Sequence, residues 1–235
     1  MKKKLNQKLI NLIEYYNLFN ANLLLSNKPI KRINSNKGID LSFEGSKIQK
    51  LEKLKKKISE IKNCDLKKNA TNLVFGDGNI NAKIMVLGEG PGAQEDIVGK
   101  PFIGRAGKLL DKMLESIKLN RKNVYISNIV NYRPPENRRP TDLEILRYLP
   151  YIKKHIEIIN PKILVLLGST ALNSIIGDDE VISKARGKWM QQEIGTIKPW
   201  IIVSFHPAFL MRQPQQKKLA WVDLKMIRDK IKTLK

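Results

Sequence analysis

Four short apolar runs separated by helical patterns constrain this chain more than any other feature. Residues 84–88 (IMVLG), 123–128 (NVYISN), 162–168 (KILVLLG) and 200–204 (WIIVS) each end in glycine, asparagine or serine. Apolar runs of this length read as strands buried on both faces. Between and after them, residues 106–117, 141–159, 169–176 and 219–232 carry apolar positions at helical spacing. Thr141, with Glu144 three residues later, has the spacing of an N-terminal capping box. Strands alternating with helices give a parallel sheet covered on both faces. The expected fold class is α/β: a three-layer α/β/α arrangement around a central parallel four-stranded sheet. With 235 residues, 42% of them hydrophobic, there is material for one good-sized domain and an appendage.

The appendage is expected at the N-terminus, as a basic helical extension over residues 1–60, with the main domain over 61–235. Leu5, Leu9, Leu12, Ile13, Tyr16, Phe19 and Leu23 recur at helical spacing across residues 4–25. Residues 26–40 read as a linker, and 46–62 as a second, lysine-rich helix. The first 70 residues hold 17 lysines and arginines against 6 acids, within a chain of net charge +22. Such a surface suits nucleic acid. A lysine-rich composition from an AT-rich genome is the bland alternative, because 34 of the 44 basic residues are lysine. The extension is either a basic arm that raises DNA affinity or a solvated appendage. No apolar run reaches the roughly 18–20 residues that span a bilayer. The basic N-terminus lacks a continuous apolar core and a small-residue cleavage site, so a cytoplasmic protein without membrane association is expected. Cys64 is the single cysteine, which excludes an internal disulfide and a thiolate-ligated zinc or iron–sulfur site, each of which needs several cysteines.

In parallel sheets, ligands bind outside the carboxyl ends of the strands. The residues leaving those ends here are Gly88-Glu89-Gly90, Asn128, Gly168 and His206-Pro207. A backbone-lined turn, a carboxamide, a carboxylate and an imidazole suit a neutral, planar, hydrogen-bonding ligand. The turn itself, GEGPGAQED (88–96), carries three acids and repels phosphate. It lacks the Gly-Lys-Ser/Thr ending of a phosphate-binding loop, and its glycines are misplaced for a dinucleotide fingerprint. It is either a tight strand-to-helix turn with solvent-facing acids or a place where a ligand approaches the backbone closely.

The segments GEGPGAQEDIVGKPFIGRAGKLLDKML, NVYISNIVNYRPPENRRP, ILVLLGSTA and VSFHPAFLMR, in this order and spacing, resemble the family 4 uracil-DNA glycosylases. The resemblance covers about residues 61–230 and leaves 1–60 unmatched. It implies an enzyme that flips deoxyuridine out of DNA and hydrolyses its N-glycosidic bond. For this chain the expectation is a monomer acting on single- or double-stranded uracil-containing DNA, with no cofactor or metal. On the matching positions, Asn128 reads the uracil edge, since a carboxamide complements O4 and N3–H. Phe102 stacks on the flipped base, and Gly88, Glu89 and Gly90 form the uracil-contacting turn. His206 donates to O2 as negative charge develops there. Glu95 stabilises the cationic sugar and positions the attacking water. Glu89 is further expected to exclude a 5-methyl group. Leu210, four residues past His206, falls where the superfamily's DNA wedge tends to sit, with Met211 sharing the task. Arg105 and Arg212, together with Arg133, Arg138, Arg139 and Arg186, are candidate phosphate contacts. His155, the other histidine, falls inside a helix and is expected to be structural or on the surface.

The chain departs from the family in one respect. Family 4 members usually carry a four-cysteine iron–sulfur cluster. Aligned on the same motifs, this chain has Ile61, Cys64, Tyr132 and Tyr148, so the 4Fe–4S cluster is expected to be absent and its volume filled by the tyrosines. The GRAG segment runs straight into KLLDKML, without the insertion that captures DNA covalently in some relatives. The rival reading is a catalytically degenerate glycosylase fold that grips DNA or a replication partner. Joint retention of Glu89, Glu95, Phe102, Asn128 and His206 weighs against it. A nucleotide-binding enzyme of another class would need a phosphate-friendly loop, which is missing.

Overall fold

In a computed structural model, residues 39–177 and 180–234 are described. The compact unit begins at Leu41 and runs to the C-terminus. The helix expected over residues 4–25 lies outside the described residues. In chain order the elements are α1 (Lys47–Ser59), α2 (Asp65–Asn69), β1 (Asp77–Gly78), β2 (Ile84–Gly88), α3 (Ala93–Val98), α4 (Arg105–Glu115), β3 (Val124–Asn128), α5 (Asp142–Ile159), β4 (Ile163–Leu167), α6 (Ser169–Ile175), α7 (Ile182–Ala185), β5 (Trp189–Gln191), β6 (Trp200–Ser204), α8 (Pro207–Arg212) and α9 (Lys217–Thr233). Single 3₁₀ turns occupy Pro135–Asn137 and Pro214–Gln216.

The sheet has six strands in the order β1-β3-β2-β4-β6-β5. Its four central strands are parallel, as the apolar runs require. The four-strand expectation is corrected at both edges, where β1 and β5 add short antiparallel strands. These edge strands are two and three residues long and partly exposed, so they carry no apolar run.

Alternation along the central strands divides the core in two. Met85, Leu87, Leu164, Leu166, Ile201 and Val203 face one side, against α1, α5 and α6. Ile84, Val86, Ile163, Val165 and Ile202 face the other, against α4 and α9. Burial of both faces explains why the strands read as unbroken apolar runs. The capping box at the start of α5 is present: Thr141 Oγ1 accepts from Glu144 N at 3.3 Å, and Glu144 Oε2 accepts from Thr141 N at 2.7 Å.

The lysine-rich helix α1 lies within the compact unit. Leu51, Leu54 and Ile58, at i, i+3 and i+7, form its buried stripe, while its lysines stay mostly in water. It is tied to α5 at both ends. Lys47 Nζ donates to Ile159 O at 3.1 Å, and beyond its C-terminus Asn63 O accepts from Arg147 of α5.

Candidate active site

The carboxyl ends of β2, β4 and β6 open into a cavity of about 560 Å³, lined in part by Glu89, Gly90, Glu95, Phe102, Gly168 and His206. That size suits a small-molecule moiety. The lining comes from three strand ends because β3 and β4 lie on opposite sides of β2, the arrangement that opens a crevice in a parallel sheet.

Gly88, the last residue of β2, sits opposite Asn128, the last of β3. A Cβ on Gly88 would lie 2.4 Å from Phe102 Cζ and 2.6 Å from Asn128 Oδ1. The bare backbone thus lets the ring and the carboxamide converge. Asn128 is 1% exposed, and its Oδ1 is buried with no hydrogen-bond partner among the described residues. A buried, unpaired carbonyl oxygen is costly unless a ligand donor completes it. Gly90 is needed for a similar reason, since a Cβ there would come within 2.8 Å of Val130 Cγ2.

The acids of the turn separate into three environments. Glu89 Oε2 accepts a hydrogen bond from the hydroxyl of Thr170, a buried residue in the first turn of α6. Glu95, on α3, is held by the turn that follows: its Oε1 accepts from Ile103 N at 2.9 Å and Gly104 N at 2.8 Å. Its second oxygen, Oε2, lies beside Gly92, where a Cβ would sit 2.8 Å away. Asp96 turns away and accepts from Thr71 N and Asn72 N at 2.9 and 3.0 Å, which pins the segment before β1.

Phe102 packs in the cavity wall with its ring centroid 5.5 Å from that of His206. Its backbone φ is +55°, a left-handed conformation that costs a bulky L-residue about 1–2 kcal/mol. His206 caps α8, with Nδ1 accepting from Ala208 N at 3.2 Å. Burial pushes its imidazole down to about 4, with Arg212 adding to the shift and Glu95 opposing it. The ring is therefore neutral near pH 7. Because Nδ1 accepts, the proton resides on Nε2, which is a donor.

Leu210, the expected wedge, is buried in the free chain. Leu210 lies three residues after Pro207 on the inner side of α8 and is 1% exposed, packed in the core against the sheet. Its neighbours Phe209 and Met211 are partly exposed, and Phe209 lines the cavity. Arg212 also lines the cavity, as does Arg138, which forms a two-pronged ion pair with Glu144 at 2.7 and 2.8 Å. Arg105 is exposed at the start of α4 and lies outside the lining. Arg186 is not a free cation, for it pairs with the buried Asp223, donates to Leu219 O and stacks over Phe205. His155 is wholly buried, accepts or donates at Nε2 to Tyr125 OH at 2.9 Å and stacks on Phe75.

Away from the cavity, Cys64, Tyr132 and Tyr148 share one hydrophobic core, with Ile61 packed against it. Cys64 Sγ lies 3.2 Å from Tyr148 OH, and Tyr148 is 0% exposed. No group of three or more His, Cys, Asp or Glu side chains that could hold a metal ion occurs among the described residues.

Residues 75–225 match the family described as the uracil DNA glycosylase superfamily. A type-4 uracil-DNA glycosylase of Archaeoglobus fulgidus is 39% identical over 184 residues, covering 77% of this chain and 92% of that one. The chain belongs to the type-4 uracil-DNA glycosylases. Two further type-4 uracil-DNA glycosylases, from Thermotoga maritima and Sulfurisphaera tokodaii, are each 41% identical, covering 69% and 76% of this chain and 83% and 84% of theirs. Within this glycosylase chain, sequence reasoning passed over Thr170, which follows Gly168-Ser169 at a strand end, and Phe209, which was masked by the neighbouring leucine.

Proposed function

We propose that this chain is a monofunctional uracil-DNA glycosylase that hydrolyses the N-glycosidic bond of flipped deoxyuridine, leaving an abasic site. The observation that carries the reading is His206: a neutral imidazole whose Nδ1 is occupied by Ala208 N, so that Nε2–H serves as a donor in the cavity shared with Glu95. Asn128 Oδ1 accepts from uracil N3–H and its amide donates to O4, which completes the otherwise unpaired oxygen. Phe102 stacks on the base.

As the C1′–N1 bond breaks, its electron pair stays on uracil. His206 Nε2–H stabilises the negative charge gathering at O2. The sugar becomes cationic, and Glu95, anchored through Oε1, presents Oε2 to that charge and to the attacking water. Water oxygen bonds to C1′, one water proton passes to Glu95, and the uracil anion departs. Glu89, fixed by Thr170, crowds the 5-position and excludes thymine.

The positions of the family's cluster do not suit iron. Iron–sulfur clusters require several thiolates, whereas this core offers one thiol against the Tyr148 phenol. We infer that packing of Tyr132 and Tyr148 replaces the cluster, and that no cofactor takes part. We propose that the chain acts on DNA as a monomer in the cytoplasm. No helix among the described residues is long and apolar enough to cross a membrane.

The test is release of free uracil from a single-deoxyuridine oligonucleotide in EDTA. Stoichiometric release supports the reading. Binding of the oligonucleotide without release, under conditions where a control glycosylase turns over, contradicts it and favours a non-catalytic DNA-binding module.

A further inference from the structure

We propose that Arg121 is a positioning residue that holds Phe102 in its stacking orientation through the backbone. The proposal rests on the reading that Phe102 stacks on the flipped base. Phe102 has a φ of +55°, a conformation that an aromatic residue leaves unless its flanking peptides are restrained. Restraint acts from both sides. The peptide after Phe102 is held at both poles, since Arg121 donates to Phe102 O through Nη2 while Glu95 Oε1 takes the N–H groups of Ile103 and Gly104. The peptide before Phe102 is held by Arg121 alone, which donates to Pro101 O through Nη1 at 3.1 Å. Gly107 of α4 closes the turn from beneath, since a Cβ there would lie 1.8 Å from Phe102 O.

The guanidinium is itself oriented by two carboxylates from different elements. Nη1 donates to Asp77 Oδ2 of β1 at 2.8 Å, and Nε donates to Asp111 Oδ1 of α4 at 3.0 Å. An ordinary surface arginine needs one carboxylate. Here two carboxylates and two consecutive carbonyls converge on one planar fork, a geometry that a lysine ammonium cannot reproduce. Arg121 does not line the cavity, so any influence it has on the base travels through the Phe102 peptide. Without the fork, the 101–103 segment relaxes towards negative φ, and the ring swings away from Gly88 and Asn128.

The test is a double-mutant cycle read by single-turnover cleavage of a deoxyuridine oligonucleotide, with thermal unfolding measured on every protein. The proteins are wild type, Arg121→Lys, Phe102→Ala and the double variant, with a parallel cycle using Asp111→Asn. Arg121→Lys is expected to slow cleavage at least tenfold when Phe102 is present and less than twofold in the Phe102→Ala background. Its effect on the melting temperature should be the same in both backgrounds. Equal fold-losses in the two backgrounds, or full activity of Arg121→Lys, would overturn the proposal. Wild-type activity of Phe102→Ala would instead overturn the stacking reading and the proposal with it. If Arg121→Lys does not fold, the Asp111→Asn cycle decides by the same comparison, because Arg121 stays and loses only an orienting partner.

Discussion

Replacing Gly88 with alanine tests whether the converging ring and carboxamide form the base-reading surface. The φ of Gly88 lies outside the left-handed region, so alanine is allowed by the backbone and the effect is purely steric. The new Cβ would stand 2.4 and 2.6 Å from two ring carbons of Phe102 and 2.6 Å from Asn128 Oδ1. Carbon atoms in good contact sit about 3.5–4.0 Å apart, so the ring or the amide must retreat by about 1 Å. Both are buried, and overpacking of this kind costs about 1–3 kcal/mol of stability. A displacement of about 1 Å at a positioned group costs about 100-fold in rate, which is about 2.7 kcal/mol of barrier. Gly88→Ala is therefore expected to melt a few degrees lower, remain folded, and cleave uracil-containing DNA about 100-fold more slowly in single turnover. A folded Gly88→Ala protein with a rate within twofold of wild type would refute the geometry.

Three other outcomes are expected. Both histidines are held below their ordinary value of about 6.5, His206 at about 4 and His155 at about 3, with burial the main cause. The unfolded chain therefore binds the extra protons between these values, so stability is complete above about pH 6.5 and falls as the pH drops towards 4; an imidazole NMR signal titrating between pH 6 and 8 would contradict this. Leu210→Ala should cost about 2–5 kcal/mol in denaturant unfolding as a core deletion, whereas Met211→Ala should spare stability and slow cleavage of duplex more than of single strands. Purified protein should carry far less than one iron per chain by elemental analysis, and a brown preparation with four irons per chain would contradict the tyrosine-filled core.

The central strands were legible because both faces of each are buried, which leaves no polar alternation to obscure the run. The start of α5 was legible because its cap is chemical: Thr141 and Glu144 satisfy free amide groups at a fixed spacing. The edge strands were not, since β1 and β5 owe their pairing to neighbours rather than to their own composition. Helix α3 was hidden because it is six residues long, follows Gly92 as its N-cap and stops at Gly99 in a left-handed turn. Lysine content hid the role of α1, although its Leu51, Leu54 and Ile58 stripe was present in the sequence. For the site, motif order offered Glu95, Phe102, Asn128 and His206 as candidates, while helix phase, which decides burial, turns Leu210 inward. Arg121 carries no motif at all. Its four hydrogen bonds join segments up to 44 residues apart, which only the folded chain brings together.

The central claim is that Glu95 and His206 work on one bond from opposite ends. Single-turnover cleavage of a deoxyuridine duplex in EDTA by wild type, Glu95→Ala and His206→Ala tests it most directly, with abasic sites revealed by alkali. The account predicts prompt cleavage by wild type and losses of at least 100-fold in each variant, with DNA binding retained. Equal cleavage by all three proteins would contradict it and place the chemistry on other residues.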